Sequence, residues 1–114
     1  MNDTILQEIM TAYADAHGDV DNELAMQRRK LDFLASGPVS RDDAVAIMAK
    51  AVDHSYNNFT AALLAKLPAD AQITLAREGS VCVYVAGKVK PVKSMLADEW
   101  DYDAAKNRTR LWWD

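Results

Sequence analysis

The chain has 114 residues, 50% hydrophobic and 26% charged, with four glycines, three prolines and a formal net charge of −4. That length suits one core and one domain, and the balance of apolar to charged residues excludes a disordered or fibrous chain. The single cysteine, Cys82, excludes an internal disulfide, and the acidity lies early: residues 1–70 carry eleven acids against six bases, residues 71–114 six against seven.

Asp3 and Glu8 interrupt the cationic and apolar start that a secretory signal needs, and no apolar run approaches a membrane span. The expected compartment is the cytoplasm, with no membrane association.

Three helices are expected first. Thr4 and Gln7 have capping-box spacing, and Ile5, Leu6, Ile9, Met10, Tyr13 and Ala16 recur at helical intervals until Gly18. A second helix is expected from Asp19, with Asp21 and Glu23 in its first turn, through Leu24, Leu31 and Leu34 to Gly37-Pro38. Ser40, with Asp43 three positions on, caps a third over residues 41–66, whose Val45, Met48, Val52, Ser55, Phe59 and Leu63 repeat at three- and four-residue steps. At about twice the average helix length, that element needs a partner surface along its whole run. A break at residues 54–58, His-Ser-Tyr-Asn-Asn, is the competing reading, since two asparagines favour turns.

After Leu67-Pro68 the period changes to two. Residues 72–76, 81–85 and 88–92 are expected to form a three-stranded antiparallel meander, with "REGS" and "AG" as its turns. Val81, Val83 and Val85 share one face and Cys82 and Tyr84 the other, so both faces are covered at least in part. Pro91 makes the third strand an edge, guarded by Lys88, Lys90 and Lys93. Asp101 or Asp103 caps a short final helix through Arg110. The fold class is therefore α+β in one domain: a helical part (1–67), a β-meander (72–93) and a C-terminal aromatic segment (94–114) ending as a short helix or tail.

The sequence carries no set of residues that marks a catalytic centre, a cofactor site or a metal site. "DAHGDVDNE", residues 15–23, gathers acids but lacks the glycine and the closing glutamate of a calcium loop, and reads as a turn whose acids cap the next helix. Asp53-His54-Ser55 has the residue types of a hydrolytic triad, yet neighbours on a helix point in different directions. Cys82, in an apolar strand, reads as a small buried hydrophobe.

Three helices followed by a hairpin is an order that resembles winged-helix DNA-binding domains, with Ala49 at the small position of a helix-turn-helix and Phe59 at its later apolar one. Asp53 and His54 depart from that pattern, and residues 56–67 offer only Lys66 as a cation. The wing fits better. Arg77 would lie at its tip, with Lys88, Lys90 and Lys93 near it as anion or nucleic-acid contacts. A nucleic-acid regulator is thus the second reading.

All three tryptophans, Trp100, Trp112 and Trp113, fall in the last fifteen positions. Trp100, following Met95 and Leu96, is expected to close the core. Neighbouring side chains diverge, so at least one of Trp112 and Trp113 is expected at an intermolecular surface beside Arg108 and Arg110. The first reading is accordingly a small acidic cytoplasmic regulator, adaptor or inhibitor, of a type encoded by phages or mobile elements. It would act without catalysis or cofactor by binding a protein partner, by self-association, or both.

Overall fold

The computed structural model describes Thr4, Gln7, Ile9 and residues 33–34, 37–51, 58–78, 80–90 and 92–113. Thr4, Gln7 and Ile9 are helical, and Ile9 is part of the core. The rest of the expected first helix and most of the second lie outside the described residues.

The described residues correct the expected architecture. Where the second helix was to end, Phe33–Leu34 form a short strand, β1, and Val39–Ser40 a second, β2. Both pair with β3 (Gln72–Glu78): Leu34 lies opposite Ala76 and Val39 opposite Ile73. The edge chain advances five residues while β3 advances three, so two extra residues are accommodated between the pairs, helped by Gly37 at φ 73°. A strand of two residues has no periodicity to reveal it, and the Leu31/Leu34 spacing imitated a helix.

Helix α1 spans Arg41–Ala51. Its start is as the sequence indicates: the Ser40 Oγ accepts a hydrogen bond from the Asp43 N–H at 3.2 Å. It buries Ala44, Ile47 and Met48. One helix to residue 66 does not form. Asn58 lies in a turn, Thr60 is extended at φ −134° and ψ 151°, and Ala61–Lys66 form a separate 3₁₀ helix. The break competes successfully because Phe59 must leave the helical path to reach the sheet, where its ring meets Trp113.

β3 and β4 (Ser80–Ala86) form the expected hairpin, each somewhat longer than its sequence signal. Among the described residues the third meander strand does not form. Residues 88–90 run without regular pairing, and Lys93–Met95 form a second 3₁₀ turn. The expected final helix is replaced by a hairpin of β5 (Glu99–Asp103) and β6 (Arg108–Trp113). Asp103 does cap, but it caps this hairpin's loop: its Oδ1 accepts from the N–H groups of Ala105 and Lys106, and Asn107 completes the turn at φ 50°. Thr109, Leu111 and Trp113 are buried while Arg108, Arg110 and Trp112 are half-buried, the period of a strand with one face on the core.

The sheet runs β1-β3-β4-β6-β5, antiparallel throughout, with β2 beside β1 along the same edge of β3. Among the described residues the protein is mostly β with a little helix, not three helices and a meander. The core lies on one sheet face, where Ile73, Leu75, Val81, Val83, Val85, Leu111 and Trp113 meet Ile47 and Met48 of α1, Phe59, Leu64 and Met95.

Trp113 is the largest of these side chains and is fully buried, at 0% exposure. Its ring packs edge-on to Phe59 at 5.0 Å and 65°, and its Nε1 donates to the Met95 carbonyl at 2.8 Å. Trp100, expected as the lid of the core, is instead 52% exposed. Trp113→Ala should therefore cost about 3 to 5 kcal/mol, and Trp100→Ala no more than about 0.5 kcal/mol, in urea unfolding. Equal losses would mean that Trp100 packs internally.

Candidate functional site

The register divides the side chains of the sheet between two surfaces. On the face away from the core, Thr74, Tyr84, Arg110 and Asp101 form one row across β3, β4, β6 and β5, and Ala76, Cys82, Trp112 and Glu99 the next. Glu78, at the end of β3, gathers this face. Its carboxylate accepts hydrogen bonds from the Tyr84 hydroxyl, from Arg110 Nε at 2.5 Å and from Cys82 Sγ at 3.4 Å. Its backbone carbonyl accepts from Trp112 Nε1 at 2.7 Å. The Arg108 guanidinium lies 4.0 Å from the Tyr84 ring centre, and that of Arg110 5.9 Å from the Trp112 ring centre.

The titration directions follow from this geometry. Burial alone would raise the Glu78 carboxyl, but the Tyr84 and Arg110 hydrogen bonds and the Arg110 charge outweigh it and hold the group below its ordinary value. Burial, assisted by the neighbouring Glu78 charge, pushes the Cys82 thiol up to about 12. Burial and the bond to Glu78 do the same to Tyr84, also to about 12. At neutral pH the cluster holds one carboxylate and one guanidinium around a protonated thiol and phenol. It ties three strands together.

The structure thus brings Arg108, Arg110 and Trp112 onto one face, as their alternate spacing predicts, but engages them within the sheet. Trp113 is corrected as a partner contact: it has no exposed surface and belongs to the core. Arg77 is corrected as well. It is 1% exposed and sits inside β3, in the inward row with Val81 and Trp113, because the hairpin turns later than "REGS" suggests: Glu78 already pairs with Ser80.

The second surface is the outer side of β5. All five of its residues are exposed, and Trp100 and Tyr102 point to one face of the sheet while Glu99, Asp101 and Asp103 point to the other. Lys88 and Lys90 are brought to the aromatic side by a local clamp. The chain leaves β4 at Gly87, whose φ of 86° needs a glycine, and Thr109 then holds it: Oγ1 accepts from the Val89 N–H at 2.9 Å and donates to the Gly87 carbonyl at 2.8 Å. The result is an open cleft of about 580 Å³ lined by Lys88, Val89, Lys90, Trp100, Asp101, Tyr102 and Thr109. Lys88 Nζ lies 5.6 Å from the Tyr102 ring centre. Lys93 is exposed on the 3₁₀ turn beyond.

Trp100 and Tyr102 are the surface residues that the sequence reading missed. The signal was present in Glu99-Trp100-Asp101-Tyr102-Asp103, which alternates acid and aromatic in strict period two. Reading Asp101 and Asp103 as helix caps hid it. Residues 15–23 and 53–55, the candidate ligand and triad stretches, lie outside the described residues. Among the described residues no three His, Cys, Asp or Glu side chains gather as a metal site, and no helix is long and apolar enough to cross a membrane.

Comparison with models of known protein families, with curated proteins and with solved structures finds no match for this chain.

The Glu78 cluster generates a pH prediction. With its folded-state carboxyl held below the ordinary 4.5, Glu78 contributes stability above that pH and loses it as pH falls through the lowered value. Glu78→Gln should cost about 1 kcal/mol at pH 7, a figure discounted for the partial exposure of the pair, and less at pH 3. Urea midpoints of the two proteins should converge at the acid end. Midpoints equally far apart at both pH values would show that the carboxylate's charge does not hold the cluster.

Proposed function

We propose that this chain is a non-catalytic, cytoplasmic protein-binding domain, a regulator, adaptor or inhibitor, and that it meets its partner through the outer side of β5. One observation carries the reading. Of the five large apolar side chains exposed among the described residues, four fall between Val92 and Tyr102: Val92 at 52%, Leu96 at 54%, Trp100 and, at 39%, Tyr102. Solvent-exposed apolar side chains concentrated in this way, beside a sheet edge that no strand among the described residues covers, mark interaction surfaces. Trp and Tyr are the residues most enriched where binding energy concentrates.

Backbone conformation supports the same location. Leu96 adopts a left-handed φ of 61°, which costs a non-glycine residue about 1 kcal/mol, while its side chain is left 54% exposed. A strained, exposed leucine fits a contact residue better than a structural one.

Lys88 and Lys90 beside two exposed aromatics favour the second reading, a nucleic-acid surface, because stacking and phosphate pairing use these residue types. The strand bearing those aromatics carries Glu99, Asp101 and Asp103 on its other face and Asp98 precedes it, so the edge as a whole is acidic and disfavours a phosphate backbone. Protein binding is the better fit.

The test compares Trp100→Ala, Tyr102→Ala and Leu96→Gly with the unaltered chain for melting temperature and for retention of a protein partner in affinity capture. Both alanine variants should keep their fold and lose the partner, with truncation costing about 2 kcal/mol or more of binding. Leu96→Gly should be more stable by roughly 0.5 to 1 kcal/mol and bind more weakly. Retention unchanged in all three would move the contact surface elsewhere.

A further inference from the structure

The alternation of backbone hydrogen bonds fixes what the β5 edge presents. Gly87 N–H donates to the Asn107 carbonyl at 2.8 Å, continuing the β4–β6 ladder through the odd-numbered residues of β6. The even-numbered residues of β6 therefore face β5, and the Trp112 carbonyl does so directly, accepting from the Asp98 N–H at 2.9 Å. Opposite those residues stand Glu99, Asp101 and Asp103, which use their backbone groups inward. The N–H and C=O groups of Trp100 and Tyr102 point outward. Among the described residues no strand lies beyond them.

We infer that the occupant of this edge is an extended segment of another protein in which cationic and apolar residues alternate, added to the sheet antiparallel to β5 as a seventh strand, as every other pair in the sheet is. This deepens the protein-binding reading above and rests on it. An added strand places every second side chain on one face. Its apolar positions fall beside Trp100 and Tyr102, and its cationic positions beside Glu99 and Asp101. Asp103 contributes less, because its carboxylate already accepts from the loop at Ala105 and Lys106. Asp101 retains a mostly exposed side chain, 4.0 Å from Arg110, and residues 98–103 hold four acids and no base.

The same geometry disfavours a second copy of this chain. Antiparallel pairing of two β5 strands, which keeps the sheet faces continuous, sets residues 99, 101 and 103 of one copy opposite those of the other, acid against acid. The edge thus repels itself and attracts its opposite.

The probe is a short capped peptide alternating lysine with valine, titrated into the full chain by calorimetry, with β5 amide shifts followed by NMR. It should bind, and a peptide of identical composition with lysines and valines in separate blocks should bind about tenfold more weakly or worse. N-methylation at the valines, whose N–H groups face Trp100 and Tyr102, should abolish binding. N-methylation at the lysines, whose N–H groups point away, should change it no more than about twofold. Glu99→Lys with Asp101→Lys should weaken binding about tenfold.

Equal affinity for the blocked peptide, or indifference to N-methylation, would overturn strand addition in favour of unspecific charge attraction. Tighter binding of a single-stranded oligonucleotide, or a dimer in sedimentation that Trp100→Ala dissolves, would replace the occupant by nucleic acid or by a second copy. No binding of the alternating peptide would also defeat the inference. The broader reading would then stand if Trp100→Ala and Tyr102→Ala still lose the captured partner, and fall with it if they do not.

Discussion

The seat of Trp113 determines how the rest of the C-terminal half is placed. Its indole is held from two directions, by the Phe59 ring on one side and by the Met95 carbonyl accepting from Nε1 on the other. A buried indole N–H without an acceptor would cost about 1–3 kcal/mol, and the 3₁₀ turn at Lys93–Met95, which sits against the end of β6, supplies that acceptor. That turn closes with Leu96 in the left-handed region, and the chain enters β5 directly afterwards. The exposure of Trp100 follows from this anchoring. With Met95 drawn inward, its neighbours are carried to the surface edge.

The opposite face is stabilised by different chemistry. Small side chains, Ala76 and Cys82, are buried there beneath larger neighbours, and the polar groups around them converge on Glu78. Burying a carboxylate beside apolar surface is costly unless its oxygens are occupied, and here Tyr84, Arg110 and Cys82 occupy them. Arg110 belongs to β6, Tyr84 and Cys82 to β4 and Glu78 to β3, so one residue couples the three central strands. Among the described residues β5 pairs with β6 alone, which leaves its outer side to interact while its inner side is paired.

Legibility in the sequence depended on how local each signal was. The Ser40 cap, the start of α1 and the hairpin of β3 with β4 were readable because capping and alternation act within a few residues. The divergence of Trp112 and Trp113 was readable from parity, although which of the two would be buried was not. Nothing local told a helix-capping Asp103 from a loop-capping one, since the same side-chain oxygen takes backbone N–H groups in both. The position of Trp100 is not legible from its apolar neighbours, because Met95 is buried and Leu96, at a positive φ, is turned out to solvent. Lys88 and Lys90 were legible as a basic pair, but their meeting with Trp100 and Tyr102 depends on Thr109, twenty residues from Val89, and on a strand pairing that composition does not encode.

The two ends of the sheet solve the problem of an open edge differently, and the difference bears on the proposed role of β5. At the β3 end the neighbouring chain is broken into two short strands with extra residues between them, a distortion that spoils any continuous template for pairing. That protection is geometric and indifferent to what approaches. β5 is regular over five residues, with evenly spaced outward backbone groups, and its protection is the row of acids on one face. Charge protection is conditional: it repels like charge and is neutralised by opposite charge. An edge guarded by charge therefore discriminates among partners, which a bulged edge cannot do. Two exposed aromatics on its other face then supply the apolar contact that an admitted strand would bury.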